Sequence, residues 1–296
     1  MAEPSDVVLK GLLEATNLSV CVAVVSQVAR EARRRHGLQP VSAALLGHAF
    51  AGAGVMAALK KGDSRINLQL ECDGALRGLL VDVGVDGSMR GYVKNPLVDV
   101  ELGQSFRWRA ALGNSGFLSV LRDQGGEYYR SSVELTAFEL GGDLNRYFEI
   151  SEQVKTQVAV AVAPRGAEPL GLVAAVLVQA MPQANVAVLE RLGTTLQSSL
   201  EAALADPAID GADALFSRLF PGLIVTQRTP ARFQCTCSRE KTLSLLASMG
   251  KAEIQDIIDT TASTAVTCHF CSTKYEVTFP DLLGLMEQLT KNDVKN

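Results

Sequence analysis

Polar and apolar residues alternate along several short segments in the first half of the chain. The pattern is clearest at residues 65–71 (RINLQLE), and residues 76–83, 131–135 and 154–163 repeat it with β-branched side chains. Alternation places every second side chain on one face of a pleated strand, so each segment is predicted to be a strand. The spacing of these segments favours a sheet of mainly antiparallel strands.

Longer apolar segments flank these strands. Residues 18–29 (LSVCVAVVSQVA) are β-rich and continue into the charged stretch EARRRHG, which Gly37 closes. Residues 40–60 are rich in Ala and Leu and have helical character. Residues 170–181 (LGLVAAVLVQAM) fit either a buried strand or a core helix, because periodicity alone does not separate the two. Helices packed on an antiparallel sheet make the predicted fold class α+β.

The pattern changes after Pro182, and we place a domain boundary near Gln183. From residue 186 to 220, helical segments are interrupted by Pro207 and by an Asp-Gly pair, which is typical of a linker with short helices. The predicted organisation is a large N-terminal domain at 1–183, a helical linker at 184–229 and a small C-terminal domain at 230–296.

The predicted C-terminal domain has its own start and stop signals. Ser238 is placed to cap a helix that ends before Gly250, and residues 252–259 form a second helical segment. Strand-like residues at 266–279 bracket a pair of cysteines, and Pro280 lies at the start of a terminal helix.

Composition narrows the class of protein. With 296 residues, 47% of them hydrophobic, the chain is long enough for one large core and a smaller domain. Its 28 basic against 32 acidic residues give a net charge of -4, which provides no general attraction to nucleic acid or to an anionic membrane. The N-terminus shows no export signal, and the apolar runs at 18–25 and 170–178 are shorter than the ~18 residues that suggest a membrane span. We therefore expect a soluble, cytoplasmic protein with no nucleic-acid or membrane partner.

Four of the six cysteines form two close pairs near the C-terminus. Cys235 and Cys237 make a C-x-C pair, and Cys268 and Cys271 make a C-x-x-C pair about 30 residues later. Zinc takes four thiolates in tetrahedral geometry, and two such pairs from separate segments are the usual way to supply them. The spacing therefore predicts one zinc ion held by these four residues. Ordinary buried thiols and an inert structural zinc site remain open as alternatives.

A metal at this site would form a crosslink that disulfides within the pairs would not replace. A disulfide within either pair closes only a few residues and constrains the unfolded chain little, whereas a metal ties Cys235 to Cys271. Oxidation of both pairs would also expel the metal, because disulfide sulfur is a poor ligand. A segment of about sixty residues is marginal by itself, and structural zinc supplies on the order of 10 kcal/mol. Oxidation is therefore expected to unfold this domain.

Several motifs resemble those of one known family. They are RFQCTCSRE at 232–240, CHFCSTKYEV at 268–277, YFEISEQVKT at 147–156 and LVQAMPQAN at 177–185, with less specific matches at HGLQPVSAALLG and INLQLECDGALRGLLVD. These motifs span nearly the whole chain. The chain resembles the 33 kDa heat shock protein family, the redox-regulated holdase chaperones of bacteria.

The resemblance implies a molecular chaperone that uses no ATP and is not an enzyme. In the reduced form, Cys235, Cys237, Cys268 and Cys271 would be the zinc ligands. In the oxidised form, one disulfide would join Cys235 with Cys237 and another Cys268 with Cys271. Loss of zinc would unfold the C-terminal domain and a metastable linker, after which the protein dimerises and binds unfolding client proteins during oxidative stress. Clients would later pass to ATP-dependent foldase chaperones.

Two other functions compete with this one. A thiol-disulfide oxidoreductase would carry a lone C-x-x-C at the start of a helix in a βαβ unit, whereas Cys268 and Cys271 have a second pair and strand-like neighbours. A nucleic-acid-binding zinc module would favour a net basic chain, whereas this chain carries a net charge of -4. Cys21 and Cys72 are interpreted as buried inert thiols, and His269 as an exposed residue beside a complete set of ligands.

Overall fold

The computed structural model describes residues 6–98, 108–124, 127–261 and 263–293 of the chain. The chain folds as two compact units, Met1–Gln234 and Cys235–Asn296. Helices and strands are both abundant, which confirms the predicted α+β class.

The N-terminal unit is a mixture of strands and helices. Its strands are β1 (Val7–Leu13), β2 (Leu18–Val24), β3 (Arg65–Cys72), β4 (Gly78–Gly84), β5 (Ser88–Val93), β6 (Gly116–Gln124), β7 (Glu127–Glu134), β8 (Thr156–Arg165), β9 (Glu168–Ala180), β10 (Ile224–Pro230) and β11 (Arg232–Phe233). Its helices are α1 (Ser26–His36), α2 (Pro40–Ala57), α3 (Trp108–Leu112), α4 (Leu140–Tyr147), α5 (Val186–Gly193), α6 (Leu196–Ala205) and α7 (Ala212–Leu219).

The strands of this unit form two sheets. The first has the order β10-β1-β2-β9-β8, and the second has the order β11-β5-β4-β3-β6-β7. Within the described residues every neighbouring pair is antiparallel except β11 with β5. The predicted antiparallel pairing is therefore confirmed, but the strands are divided between two sheets.

Helix α2 lies in the core between the two sheets. It contacts β9 of the first sheet and β4 of the second. Small residues allow this close packing: a β-carbon at Gly54 would meet Met89 of the second sheet at 3.2 Å and Ala23 of the first sheet at 3.5 Å. By length and composition alone α2 could cross a membrane, but 94% of it is buried inside the protein. Its apolar character is therefore that of a core helix.

A second apolar core lies on the opposite face of the first sheet. Alternate residues of β2 belong to different cores. Cys21 and Ala23 belong to the core around α2, and Val20 and Val22 belong to the second core. Helices α5 to α7 cover this face through fully or almost fully buried side chains: Leu189, Leu200, Leu215 and Phe216. The segment predicted as a linker, 184–229, thus contains short helices that pack on the N-terminal unit, and its last residues belong to β10 of the first sheet.

Three segments add to or change the predicted elements. Residues 18–29 are not one β-rich run, because β2 ends at Val24 and α1 begins at Ser26. The buried Asp6 carboxylate accepts a hydrogen bond of 2.8 Å from the Val28 amide and so satisfies the start of α1 from a distant part of the chain. The ambiguous run at 170–181 is strand β9, and β1 was not predicted.

The C-terminal unit is much smaller. It contains α8 (Arg239–Ala247), α9 (Lys251–Thr260), a hairpin of β12 (Thr264–Thr267) and β13 (Lys274–Val277), and α10 (Phe279–Asp293). Ser238 caps α8 as predicted, since its hydroxyl accepts a hydrogen bond of 3.2 Å from the Lys241 amide. Five apolar side chains make up its buried core: Leu246, Ile254, Val277, Leu282 and Leu285.

Candidate metal centre

The structure brings the four paired cysteines into one cluster in the C-terminal unit. All four Sγ atoms lie within 4.8 Å of one another. The Sγ atoms of Cys235 and Cys268 are 3.8 Å apart, and those of Cys237 and Cys271 are 3.4 Å apart. A tetrahedron with metal–sulfur bonds of about 2.3 Å has edges of about 3.8 Å. The cluster therefore has the size and the donor set of a four-thiolate metal site.

Local backbone geometry positions the second pair. Cys268 directly follows β12, and its amide donates to the Thr273 carbonyl at 2.9 Å, while the Ser272 amide donates to the Cys268 carbonyl at 2.8 Å. Ser272 has a left-handed φ of 56°, which turns the chain back into β13. This tight turn places both sulfurs of the C-x-x-C pair on the same side.

The first pair is positioned at the entrance to α8. Cys235 and Cys237 precede the Ser238 cap, and the Arg239 side chain donates to the Glu276 carbonyl and to the Asp281 carboxylate. These contacts hold the start of α8 against the β13 and α10 segments. The C-x-C pair is thereby brought to the C-x-x-C turn from more than thirty residues away in sequence.

Two hydroxyl groups lie against the sulfurs. Tyr275 Oη donates to Cys237 Sγ at 3.1 Å, and Thr273 Oγ1 lies 3.2 Å from Cys271 Sγ. The sequence predictions did not include either residue. Both stand in the CSTKYEV segment that follows the C-x-x-C pair, so closeness to the second pair was the signal that could have found them.

The thiols differ in their readiness to ionise. Burial raises the pKa of Cys268 to about 12, reinforced by the neighbouring Cys271 and Cys235 thiols. Burial also acts on Cys271, but its hydrogen-bond contacts with the Thr273 hydroxyl and amide and with neighbouring thiols outweigh it and lower the pKa to about 7. Four negative sulfurs at this separation would repel one another strongly. Four thiolates at this site therefore require a bound cation.

Cys21, Cys72 and His269 are not members of the sulfur cluster. Cys21 is fully buried, and burial raises the pKa of its thiol to about 12. Cys72 is only half-buried, because it is the last residue of β3, so its predicted burial is corrected. His269 is exposed and is not part of the sulfur cluster. Among the described residues, the four cysteines are the one group of metal-ligating side chains that come together.

Comparison with known proteins identifies the family. The model of the Hsp33 protein family matches residues 6–278. The chain belongs to the Hsp33 family. It is 36% identical to the 33 kDa chaperonin of Gloeobacter violaceus over 282 residues, covering 90% of this chain and 91% of that one. It is 30% identical to the 33 kDa chaperonin of Bacillus subtilis, covering 97% of this chain and 100% of that one.

The fold of this Hsp33-family chain is also similar to a solved structure. The crystal structure of the 33 kDa chaperonin (heat shock protein 33 homolog) of Thermotoga maritima matches with a TM-score of 0.81. The match covers 97% of this chain and 100% of that one, at 24% identity. The two chains therefore share the same fold over nearly their whole length.

Proposed function

We propose that this Hsp33-family protein is an ATP-independent holdase chaperone that a cysteine redox switch controls. The observation that carries the proposal is the four-sulfur cluster in a unit whose apolar core, among the described residues, is a small cluster of five buried side chains. A bound zinc ion at this site would supply the positive charge that keeps four thiolates together and would crosslink the unit. Cys235, Cys237, Cys268 and Cys271 would be its ligands.

Oxidation would remove that crosslink. In each pair two thiolates lose two electrons and form one S–S bond, while one peroxide molecule takes up these electrons and two protons from the solvent and becomes two water molecules. Disulfides would join Cys235 with Cys237 and Cys268 with Cys271. Each closes a loop of only a few residues and so constrains the chain little. Without four thiolates the metal is released, and we expect the C-terminal unit to unfold.

The client-binding surface is proposed to lie beneath the helices of the linker. Helices α5 to α7 cover one face of the first sheet, and side chains on that face include Val20, Val22 and Val176, none of which is exposed. Detachment of these helices would uncover a continuous apolar face, which is the kind of surface that binds unfolded chains. The proposed linker at 184–229 would thus act as the cover of the client site.

The proposal extends to partners and location. Clients are unfolding proteins, the oxidised form is a homodimer, and clients pass to ATP-dependent foldases when reducing conditions return. The protein would act in the cytoplasm, where thiols stay reduced until an oxidant appears. No enzymatic step is needed, because the client is held by apolar contact.

The test is zinc content and suppression of client aggregation, measured before and after peroxide treatment at elevated temperature. We expect loss of zinc together with a gain of holdase activity. Cys72→Ser is the matched control, because Cys72 is a half-buried thiol outside the cluster and its loss should leave the response intact. Retention of zinc, or loss of zinc with no gain of activity, would instead favour an inert structural site.

Disulfide mapping of the oxidised protein tests the pairing. We expect S–S bonds within each pair. Bonds between the pairs, such as Cys235 with Cys268, would preserve the long-range crosslink and would contradict the unfolding step.

A further inference from the structure

The Tyr275 hydroxyl joins the two halves of the cysteine cluster. It donates to Cys237 Sγ at 3.1 Å. Tyr275 belongs to β13, where it pairs with Val266 of β12, so it is part of the hairpin that carries the second cysteine pair. Cys237 belongs to the first pair, 38 residues earlier. This hydrogen bond therefore connects the two pairs without passing through a metal.

The Thr273 hydroxyl, in contrast, contacts a cysteine of its own turn. Thr273 Oγ1 lies 3.2 Å from Cys271 Sγ, and the two residues are only two positions apart in the same turn. Removal of the Thr273 hydroxyl would change the surroundings of its own pair alone. The Tyr275 and Thr273 contacts are thus of similar length, but the first bridges the two pairs and the second does not.

A hydroxyl that donates to sulfur changes both its reactivity and its position. It stabilises negative charge on the sulfur and so lowers its nucleophilicity toward electrophiles. Hydrogen-bond partners of metal ligands also fix the orientation of the ligand, and their loss typically reduces metal affinity 10–100-fold. The Arg239 contacts to Glu276 and Asp281 hold the same two segments, so they remain when the Tyr275 hydroxyl alone is removed.

We propose that Tyr275 is a positioning residue that holds Cys237 in the cluster and slows attack on its sulfur. The proposal rests on the proposed function only for the oxidation step. In that step the Cys235 and Cys237 thiolates lose two electrons and form one S–S bond, and one hydrogen peroxide molecule takes up these electrons and two protons from the solvent and becomes two water molecules. Loss of the Tyr275 hydroxyl accelerates this step in the first pair and leaves the second pair unchanged.

The experiment compares Tyr275→Phe with Thr273→Val. The reduced proteins, with zinc in excess, are treated with N-ethylmaleimide or with peroxide, quenched over time, and analysed cysteine by cysteine by mass spectrometry. We expect Tyr275→Phe to raise the rate at Cys237 about tenfold, the ratio expected for one lost hydrogen bond to a charged sulfur. Thr273→Val should raise the rate at Cys271 instead.

Two results would overturn the proposal. They are an unchanged rate at Cys237 in Tyr275→Phe, and an equal acceleration at all four cysteines, which would indicate general loosening of the unit. If the variant fails to fold, nuclear magnetic resonance of the wild type decides: a slowly exchanging Tyr275 hydroxyl proton near the Cys237 β-protons is expected, and its absence contradicts the proposal. A wild type that gains no holdase activity on oxidation would refute the proposed function, while the alkylation rates would still test Tyr275.

Discussion

Different interactions stabilise the two units of this protein. The N-terminal unit buries two extensive apolar cores, one around α2 between the sheets and one beneath α5 to α7. In the described part of the C-terminal unit, the apolar core is a single cluster of five buried side chains. A segment of about sixty residues with so small a core is marginally stable. The sulfur cluster occupies the unit that most needs a crosslink.

A further contrast exists inside the N-terminal unit. Its main core joins α2 to both sheets, whereas its second core depends on three short helices near the end of the unit. Short helices are stable mainly through packing of their apolar face. Loss of that packing would release α5 to α7 and leave the sheets intact. If these helices detached, the core around α2 would stay packed while the apolar face beneath α5 to α7 became exposed.

The largest effect is expected from removal of the metal or of one ligand. In zinc-loaded protein, chelation or Cys268→Ser should remove stabilisation on the order of 10 kcal/mol and unfold the C-terminal unit. Hydrogen exchange should show loss of protection at 239–293, with unchanged protection in β9 and β2. Cys72→Ser serves as the control. If α8 to α10 keep full protection without metal, the C-terminal unit does not need a crosslink, and the contrast between the two units is wrong.

The sequence predicted those features that depend on nearby residues. Alternation located β3, β4 and β8, and the cysteine spacing selected four sulfurs that lie within 4.8 Å of one another. Long-range features were not accessible. The division into two sheets depends on both packing against α2, and the start of α1 depends on Asp6, twenty-two residues before Val28. The hydrophobic pattern of a short stretch of sequence shows neither the division into two sheets nor the contact between Asp6 and Val28.

The same limit applies to the candidate site. Thr273 lies in the turn of the second pair, but the contact between Tyr275 and Cys237 depends on the register of the β12–β13 hairpin, which pairs Val266 with Tyr275. A shift of one residue would turn Tyr275 to the opposite face. The four cysteines and the nearby Thr273 could therefore be found from the sequence, but the contact of Tyr275 with Cys237 could not.

The second prediction compares the two cores of the N-terminal unit. Leu200→Ala in α6 and Leu68→Ala in β3 each truncate a fully buried leucine, and each should cost about 2–5 kcal/mol. Leu200→Ala should loosen α5 to α7 and give holdase activity without peroxide. Leu68→Ala should lower global stability without that gain. Hydrogen exchange at 186–219 and client aggregation measure both, and identical behaviour of the two variants would refute the cover role of the helices.

The smallest expected effect is the pH dependence of stability that Asp6 causes in the N-terminal unit. Burial raises the pKa of Asp6 to about 6 from its ordinary 3.8, although amides at the start of α1 and Arg30 oppose the shift. The folded state therefore binds this proton more tightly than the unfolded state. The stability that Asp6 contributes is complete below about pH 4, falls as the pH rises toward 6, and is lost above that, by at most about 3 kcal/mol.

Asp6→Asn should remove this dependence, because an amide keeps an acceptor for the Val28 amide and does not ionise. Urea unfolding between pH 4.5 and 7.5, followed by fluorescence of the single tryptophan, Trp108, reports on the N-terminal unit alone. His48, whose pKa burial lowers to about 3, titrates in the opposite sense in both proteins and cancels in the difference. If the free energy of unfolding changes with pH in the same way in both proteins, Asp6 is not the group whose protonation stabilises the folded state. Diverging profiles would show that Asp6 makes the stability of the N-terminal unit depend on pH.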